Sequence, residues 1–148
     1  MYSGVISIFS ERIKKGLPIT IYGDGQQTRD FVNVADVVHA NLLAMGIQRS
    51  DVNGQRSDPS NPDQPTTDNY QPVSCGFAIF NVATGRQTSL LQLLDALEMS
   101  IGQAVERKFM PARDGDIRHS LADISKVRKV FGFEPRIDLQ QGLLQLII

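Results

Sequence analysis

The stretch ITIYGDGQQTRDFVNV, residues 19–34, joins two short extended segments through a glycine-rich turn. Residues 19–22 are β-branched or aromatic, which favours a strand, and the GDG after them is typical of a turn. DFVNV is expected to be a second extended piece, and Arg29 stands directly before its apolar residues. This guanidinium either pairs with Asp24 or Asp30 beside the turn, or is held for a phosphate or carboxylate of a ligand.

Amphipathic helices are expected on both sides of this stretch. Apolar spacing over residues 3–15 predicts a helix that ends at Gly16, and Pro18 prevents its continuation. VADVVHANLLAM, from Val34, predicts a second helix of about three turns. The expected apolar face of this helix consists of Val37, Val38, Leu42 and Met45.

A strand and a long helix are predicted for the second half of the chain. FAIFNVA, residues 77–83, is the most strand-like run and is expected to be buried. The helix after it has Thr88 or Ser89 at its cap, with Gln92 three residues after Ser89 as in a capping box, and Gly102 at its end. The residues therefore predict a helix from about position 90 to position 101.

The last third of the chain predicts one more strand and two shorter helices. VERKFM alternates as a strand, one helix follows Asp123 and ends at Gly132, and the other starts at Asp138. About five helices alternating with short strands indicate an α/β or α+β protein, and we expect the α/β class. Residues 1–148 are expected to form one domain.

Residues 48–76 interrupt this pattern with a polar segment. Four prolines and many Ser, Asp and Asn residues give it too little apolar surface to offset its ordering entropy. We expect a mobile surface insertion, with a binding lid as the alternative.

Composition excludes several function classes. Fifteen basic residues nearly balance sixteen acidic ones, so no overall field favours nucleic acid or an anionic membrane. One cysteine, Cys75, rules out an intramolecular disulfide framework, and no Cys/His cluster has the spacing of a zinc site. With no signal peptide or long apolar run, we expect a soluble, cytoplasmic protein.

A second anion-binding candidate lies in MPARDGDIRHS. Within seven residues this segment carries five charged or imidazole side chains: Arg113, Asp114, Asp116, Arg118 and His119. Two guanidiniums with interspersed carboxylates can clamp a diphosphate, and a salt-bridged, solvated loop is the alternative. Tyr22 could lie over a planar ligand or pack against the core.

A glycine-rich dinucleotide-binding motif and a Tyr-x-x-x-Lys motif are both absent from the sequence. No G-x-G-x-x-G or G-x-x-G-x-x-G is present, and no tyrosine is followed four residues later by lysine. His39, His119 and Cys75 have no neighbouring nucleophile, base or metal-ligand set. We therefore expect no catalytic, metal-binding or cofactor-binding residue in this chain.

Five ordered blocks of the chain resemble a known family. They are YSGVISIF, ITIYGDGQQTRDFVNVADVVHANLLAM, FNVATGRQTSLLQLLDAL, ARDGDIRHSLADISKV and GFEPRIDLQQGL. Together they resemble the C-terminal, nucleotide-sugar-binding part of the NAD-dependent epimerase/dehydratases, the extended branch of the short-chain dehydrogenases. The segment GDIRHS most resembles the corresponding segment of UDP-glucose and UDP-N-acetylglucosamine 4-epimerases.

The resemblance implies roles for individual residues. The family's GDG-x-x-x-RDF segment carries an arginine that binds the diphosphate, which corresponds to Arg29. Thr20, Ile21 and Tyr22 correspond to the uracil-contacting stretch.

In the same family, Arg113 corresponds to the second phosphate arginine. Asp116 corresponds to its supporting or ribose-binding acid.

The implied function is that of the UDP-sugar-binding portion of a UDP-hexose 4-epimerase-like enzyme. NAD is expected for the full-length parent, as is a homodimer, whereas this chain is expected to be a fragment that is inactive alone. A stand-alone UDP-sugar-binding module, part of a nucleotide-sugar dehydratase or decarboxylase, and a structural interaction domain are the alternatives.

Overall fold

The computed structural model describes residues 4–46 and 78–147, so the polar segment 48–76 lies outside the described residues. The described residues form five helices and four short strands, in agreement with the expected α/β class. In chain order they are α1 (Val5–Lys14), β1 (Ile19–Tyr22), β2 (Thr28–Arg29), α2 (Val34–Ala44), β3 (Thr88–Ser89), α3 (Leu90–Ile101), β4 (Arg107–Met110), α4 (Ser125–Phe131) and α5 (Leu139–Ile147).

β1 and β4 form a parallel pair, with Ile19 opposite Arg107 and Tyr22 opposite Met110. Ile19 and Ile21 are fully buried in the core, whereas the alternate positions of β1 are half-buried. Because successive side chains of a strand point to opposite faces, Thr20 and Tyr22 lie on the face away from that core. The parallel pairing places the C-terminal ends of β1 and β4 side by side.

The main core joins two helices to β1. Phe9 and Ile13, one turn apart on α1, are buried against the three buried leucines of α3. α3 begins at the predicted capping box: the Ser89 hydroxyl accepts from the Gln92 amide, and the Gln92 side chain accepts from the Ser89 amide. Gly102 ends the helix at a φ of 76°, a left-handed conformation that costs glycine no steric strain.

A smaller cluster joins α2 to α4. Ala40 of α2 packs with Val127 of α4 and with the fully buried Phe133. Asp36, only 2% exposed, accepts hydrogen bonds from the backbone amides of Arg136 and Ile137 at 3.0 and 3.2 Å. This buried carboxylate ties the start of α2 to the segment that leads into α5.

The prediction of a buried strand over residues 77–83 is wrong for the described residues 78–83, which belong to no strand. Side chains hold this segment instead, because Lys126 Nζ donates to the Ile79 carbonyl at 2.8 Å and Asn81 donates to the Asp123 carbonyl at 3.2 Å. Ile79 is 69% exposed. Apolar, β-branched composition therefore does not produce a strand here, where a neighbouring strand is missing among the described residues.

The second extended piece also differs from its prediction. The strand covers Thr28–Arg29, ahead of DFVNV, and pairs antiparallel with β3. Asn33 is the last extended residue before α2, and its side chain caps that helix by accepting from the Ala35 amide at 2.8 Å. Phe31 and Val32, which precede the cap, belong to no strand.

The buried face of α2 is not the expected one. Val38 and Met45 are 51% and 62% exposed, whereas Asp36 and Ala40 are buried. Two contacts determine which side of this helix faces inward. Backbone amides bind Asp36, and the small Ala40 packs in one cluster with Phe133. No helix of residues 4–46 and 78–147 is long and apolar enough to cross a membrane.

The core assignment predicts a large cost for truncating Leu97. Leu97 is fully buried on α3, so Leu97→Ala should lower the free energy of unfolding by about 2–5 kcal/mol through lost burial and a residual cavity. Met99→Ala is the matched control on the same helix, because Met99 is 74% exposed and should change stability by less than about 0.5 kcal/mol. Urea unfolding of both variants measures the difference, and equal stabilities would contradict this core.

Candidate functional site

A cavity of about 680 Å³ lies between α1, the outer face of β1 and the loop after β4. Five of the six candidate residues line it: Thr20, Tyr22, Arg29, Arg113 and Asp116. The other lining residues are Val5, Ile8, Phe9, Arg12, Gln27, Phe31, Thr88, Leu90, Asp114 and Gly115. The fold therefore brings most of the residues selected from sequence to one place.

Ile21 is the exception among the six. Its side chain is fully buried in the main core and does not line the cavity. The alternation of β1 requires this, since Thr20 and Tyr22 occupy the opposite face. A ligand in the cavity could meet Ile21 only through its backbone.

Arg29 is held by the loop that follows β4. Its Nη2 lies 3.1 Å from Asp116 Oδ1, and its Nη1 donates to the carbonyls of Ile117 and Thr28 at 2.6 and 2.8 Å. Its partner is thus neither of the two aspartates considered from sequence. The ion pair with Asp116 therefore helps to fix the position of the Arg29 guanidinium, whereas Arg113, with which the resemblance associates Asp116, has no ion pair with it.

Asp30, beside Arg29, has a separate structural role. Its carboxylate accepts from the backbone amides of Thr84 and Gly85, both at 2.9 Å, and from the Thr84 hydroxyl. A carboxylate that accepts several hydrogen bonds is strongly anchored. Asp30 therefore joins the end of β2 to Thr84 and Gly85. Its hydrogen bonds are to these two residues and not to Arg29, which lines the cavity.

Arg113 lies over the ring of Tyr22. Its Cζ is 3.7 Å from the ring centroid, which is the geometry of a cation–π contact. Among the described residues, no carboxylate lies within ion-pair distance of Arg113. Its charge is consequently available to an anion in the cavity.

The loop that carries Arg113 and Asp116 is anchored to β2. The Thr28 amide donates to the Arg118 carbonyl at 2.8 Å, and the Ser120 amide donates to the Thr28 carbonyl at 3.1 Å. Thr28 Oγ1 lies 3.0 Å from His119 Nδ1. These bonds bring residues far apart in sequence into one site.

An exposed ion pair also joins this loop to the glycine-rich turn after β1. Arg118 Nη2 lies 2.7 Å from Asp24 Oδ2, and the Gln26 amide donates to Asp24 Oδ1 at 3.0 Å. The hydrogen bond from Arg118 and then that from the Gln26 amide lower the pKa of Asp24 below its ordinary value. The turn and the loop are thus joined by charge as well as by backbone.

Sequence reasoning missed Arg12 and Gln27 as cavity residues, whereas Asp114, which also lines the cavity, belongs to the charged loop selected from sequence. Gln27 Nε2 donates to the Tyr22 carbonyl at 2.9 Å, and Arg12 Nε donates to the Pro18 carbonyl at 2.6 Å. Arg12 falls one helical turn after the cavity residues Ile8 and Phe9, so the same periodicity that predicted α1 places it on this face.

The glycine-rich turn does not fit a dinucleotide. At Gly25, with φ at 73°, a Cβ would lie only 2.8 Å from Leu91 Cγ, so the close approach of this turn is occupied by the α3 side chain. The turn leads into β2 and not into a helix N-terminus, which is the usual cradle for a pyrophosphate. In the described part of the chain, no group of three or more His, Cys, Asp or Glu residues has metal-binding geometry.

The Asp24–Arg118 pair predicts an acid-sensitive contribution to stability. Asp24→Asn keeps the acceptor for the Gln26 amide but removes the charge, so Tm at pH 7 should fall slightly. Because the pKa of Asp24 is lowered on folding, this contribution exists above its unfolded value of about 3.9 and disappears as the pH falls through the lower folded value. The difference in Tm between wild type and variant should therefore shrink in acid.

Asp114→Asn is the control, because Asp114 is exposed and has no ion pair with another described residue. Thermal melts of the three proteins from neutral to acidic pH test this. A difference between wild type and Asp24→Asn that persists unchanged in acid would contradict the assignment.

Comparisons with known proteins agree on one family. A family model described as the NAD dependent epimerase/dehydratase family matches residues 1–56. The UDP-glucose 4-epimerase of Mycolicibacterium smegmatis is 34% identical over 145 residues, which cover 98% of this chain and 38% of that protein.

Solved structures give the same picture. The UDP-glucose 4-epimerase of Thermotoga maritima, solved with UDP-glucose, has a TM-score of 0.72 and 34% identity, and the match covers 98% of this chain and 38% of that one. The UDP-N-acetylglucosamine 4-epimerase of Methanobrevibacter ruminantium, solved with UDP-N-acetylmuramic acid, has a TM-score of 0.69 and 29% identity, with coverages of 99% and 40%.

The chain thus spans 38% of the length of the first two relatives. The family resemblance drawn from the five sequence blocks is confirmed by these matches. This chain belongs to the NAD-dependent epimerase/dehydratase family.

Proposed function

We propose that this chain binds the nucleoside diphosphate of a UDP-sugar, as the substrate-binding portion of a UDP-hexose 4-epimerase-like enzyme. One observation supports this above all: Arg29 and Arg113, far apart in sequence, line a single cavity. A diphosphate carries two adjacent anionic groups, and guanidiniums are well suited to bind them through several charge-assisted hydrogen bonds. The relatives solved with UDP-glucose and UDP-N-acetylmuramic acid support a ligand of the same class.

The two arginines contribute in different ways. Arg29 is already fixed by Asp116 and two carbonyls, so little side-chain entropy remains to be lost on binding. Arg113 has a stacking partner and no carboxylate partner among the described residues, so it offers an uncompensated charge. In this proposal Arg29 provides position and Arg113 provides most of the attraction.

The nucleoside lies along β1 in this proposal. Thr20 and Tyr22 present one hydroxyl and one ring to the cavity, and Ile21 contributes only its backbone. Val5, Ile8 and Phe9 of α1 supply the apolar wall that a planar base requires. A polar strand face opposite an apolar helix face is a suitable slot for a uracil ring.

These residues bind and orient a substrate, and the chemistry of epimerisation needs more. Hydride transfer at the sugar requires NAD, which the proposed full-length enzyme would bind through residues outside this chain. This sequence has neither a glycine fingerprint nor a Tyr-x-x-x-Lys pair, and the Gly25 turn is filled by Leu91. No catalytic step is therefore assigned to any residue here.

The reaction of the parent has one alternative with an observation behind it. UDP-glucuronic acid decarboxylase 2 of Arabidopsis thaliana is 27% identical over 94% of this chain, and the match covers 25% of that protein. Decarboxylation and epimerisation can share a UDP-binding site, because the diphosphate and base are common to both substrates. A stand-alone UDP-sugar-binding module uses the same residues and is separated from both enzymes only by the turnover of the full-length protein.

The anion site predicts a loss of UDP affinity when either arginine is removed. Arg29→Ala and Arg113→Ala should each weaken UDP binding by about ten- to hundredfold, because each removes a hydrogen-bonding group of opposite charge. Uridine, which lacks phosphates, should bind almost equally to all variants. Calorimetry or ligand-observed NMR on the 148-residue chain measures both ligands.

Arg128→Ala is the matched control, because Arg128 pairs with Glu134 at 2.9 Å and does not line this cavity. It should leave UDP affinity unchanged. Equal UDP affinity in all four proteins would return Arg29 and Arg113 to ordinary surface arginines, and the proposed function would be withdrawn.

A second prediction concerns turnover. The purified chain should not convert UDP-galactose to UDP-glucose and should not bind NAD, because the glycine fingerprint and the Tyr-x-x-x-Lys pair are absent from its sequence. A coupled assay with material free of host epimerase measures the first, and a fluorescence titration with NADH measures the second. Turnover that co-purifies with the chain through every column would refute this prediction.

A further inference from the structure

Arg12 is a third guanidinium at the cavity, and neither the sequence motifs nor the proposed diphosphate contacts account for it. It lies on the face of α1 that lines the cavity, and it is half-buried. Its Nε donates to the Pro18 carbonyl at 2.6 Å. Among the described residues no carboxylate lies within ion-pair distance of it: the adjacent Glu11 interacts with it electrostatically but forms its ion pair with Lys15. A half-buried charge is costly unless a close partner is supplied. A ligand is one source of that partner.

The Pro18 bond determines where this guanidinium lies. Nε belongs to the guanidinium itself, so the charged head stays close to Pro18, just before β1 begins. Arg113 lies over Tyr22, at the other end of β1. A strand rises about 3.3 Å per residue, so Pro18 and Tyr22 are separated by about 13 Å along the chain.

The bond to Pro18 anchors the Arg12 guanidinium near the start of β1, whereas Arg113 lies at the end of that strand. The proposed function places the diphosphate at Arg113 and Arg29. In this arrangement Arg12 faces another part of the ligand. With the phosphates at the Tyr22 end, the base lies along β1 towards Arg12.

We propose that Arg12 reads the base, by donating to the carbonyl oxygen O4 of uracil. The edge of a pyrimidine farthest from its ribose carries the substituent at C4, which is O4 in uracil and an amino group in cytosine. A guanidinium has only donors, so it pairs with the uracil oxygen and repels the cytosine amine. This inference rests on the proposed function and assigns to Arg12 the preference for uridine over cytidine nucleotides.

The test compares UDP with CDP, which differ only in the base. Wild type should bind UDP about ten- to hundredfold more tightly than CDP, the range expected for one hydrogen bond to a charged group. Arg12→Met keeps the apolar stem and removes the donors, so UDP affinity should fall until the two ligands bind about equally. Lys15→Met is the control on the same helix, because Lys15 is exposed and pairs with Glu11, and it should keep the full preference.

A purely structural role for Arg12 predicts a different result. If its function were only to close the turn between α1 and β1 through Pro18, Arg12→Met would lower Tm and weaken both ligands equally. If Arg12→Met does not fold, Arg12→Lys replaces it; one ammonium group should retain part of the preference. Equal affinity of wild type for UDP and CDP would overturn the inference without any variant, as would an undiminished preference in either Arg12 variant.

The outcomes also separate this inference from the proposed function. Loss of UDP binding in Arg29→Ala and Arg113→Ala, without a base preference in wild type, would leave the diphosphate site in place and remove only the role of Arg12. Unchanged UDP binding in Arg29→Ala and Arg113→Ala would remove the diphosphate site itself.

Discussion

The pairing of Thr28 with the chain around His119 is the contact on which the candidate site depends. Thr28 exchanges backbone hydrogen bonds with residues on both sides of His119, and its hydroxyl meets the imidazole. Arg29 follows Thr28 directly, and Asp116 lies just ahead of His119, so this short parallel bridge sets their separation. Without it, the two arginines would belong to independent surface loops.

The same junction restrains the charged side chains of the candidate site. Arg29 uses its Nη1 for two carbonyls and its Nη2 for Asp116, which leaves its orientation little freedom. Arg113 gains a comparable restraint from the ring of Tyr22. Binding groups that are already in place lose less entropy when a ligand arrives, which favours affinity without new contacts. The exposed Asp24–Arg118 pair contributes modestly to the same restraint, as is usual for a surface ion pair.

Local sequence patterns predicted the parts of the structure that local interactions determine. The capping box at Ser89 and Gln92 and the left-handed Gly102 each depend on residues within about one helical turn. The strand of residues 19–22 was predicted from its own β-branched and aromatic residues, although its partner β4 lies far along the chain. The inward position of Asp36 and the irregular path of residues 78–83 depend on partners far along the chain, so composition and periodicity could not reveal them. For the site, family motifs selected Arg29 and Arg113, whereas Arg12 belongs to no motif and becomes visible only when α1 is folded against β1.

The buried bonds of Asp36 have a consequence for how the chain is made. Asp36 is joined to backbone amides 100 and 101 residues further on. A ribosome adds about 5–20 residues per second, so several seconds pass between the synthesis of Asp36 and that of the amides it binds. During that interval the Asp36 carboxylate must remain hydrated, and the apolar residues that later form the smaller cluster lack Val127 and Phe133. Contacts so distant in sequence also slow folding, since a long loop must close before they form. The completed fold is therefore reached late, and chaperones that bind exposed apolar segments have time to act on this chain.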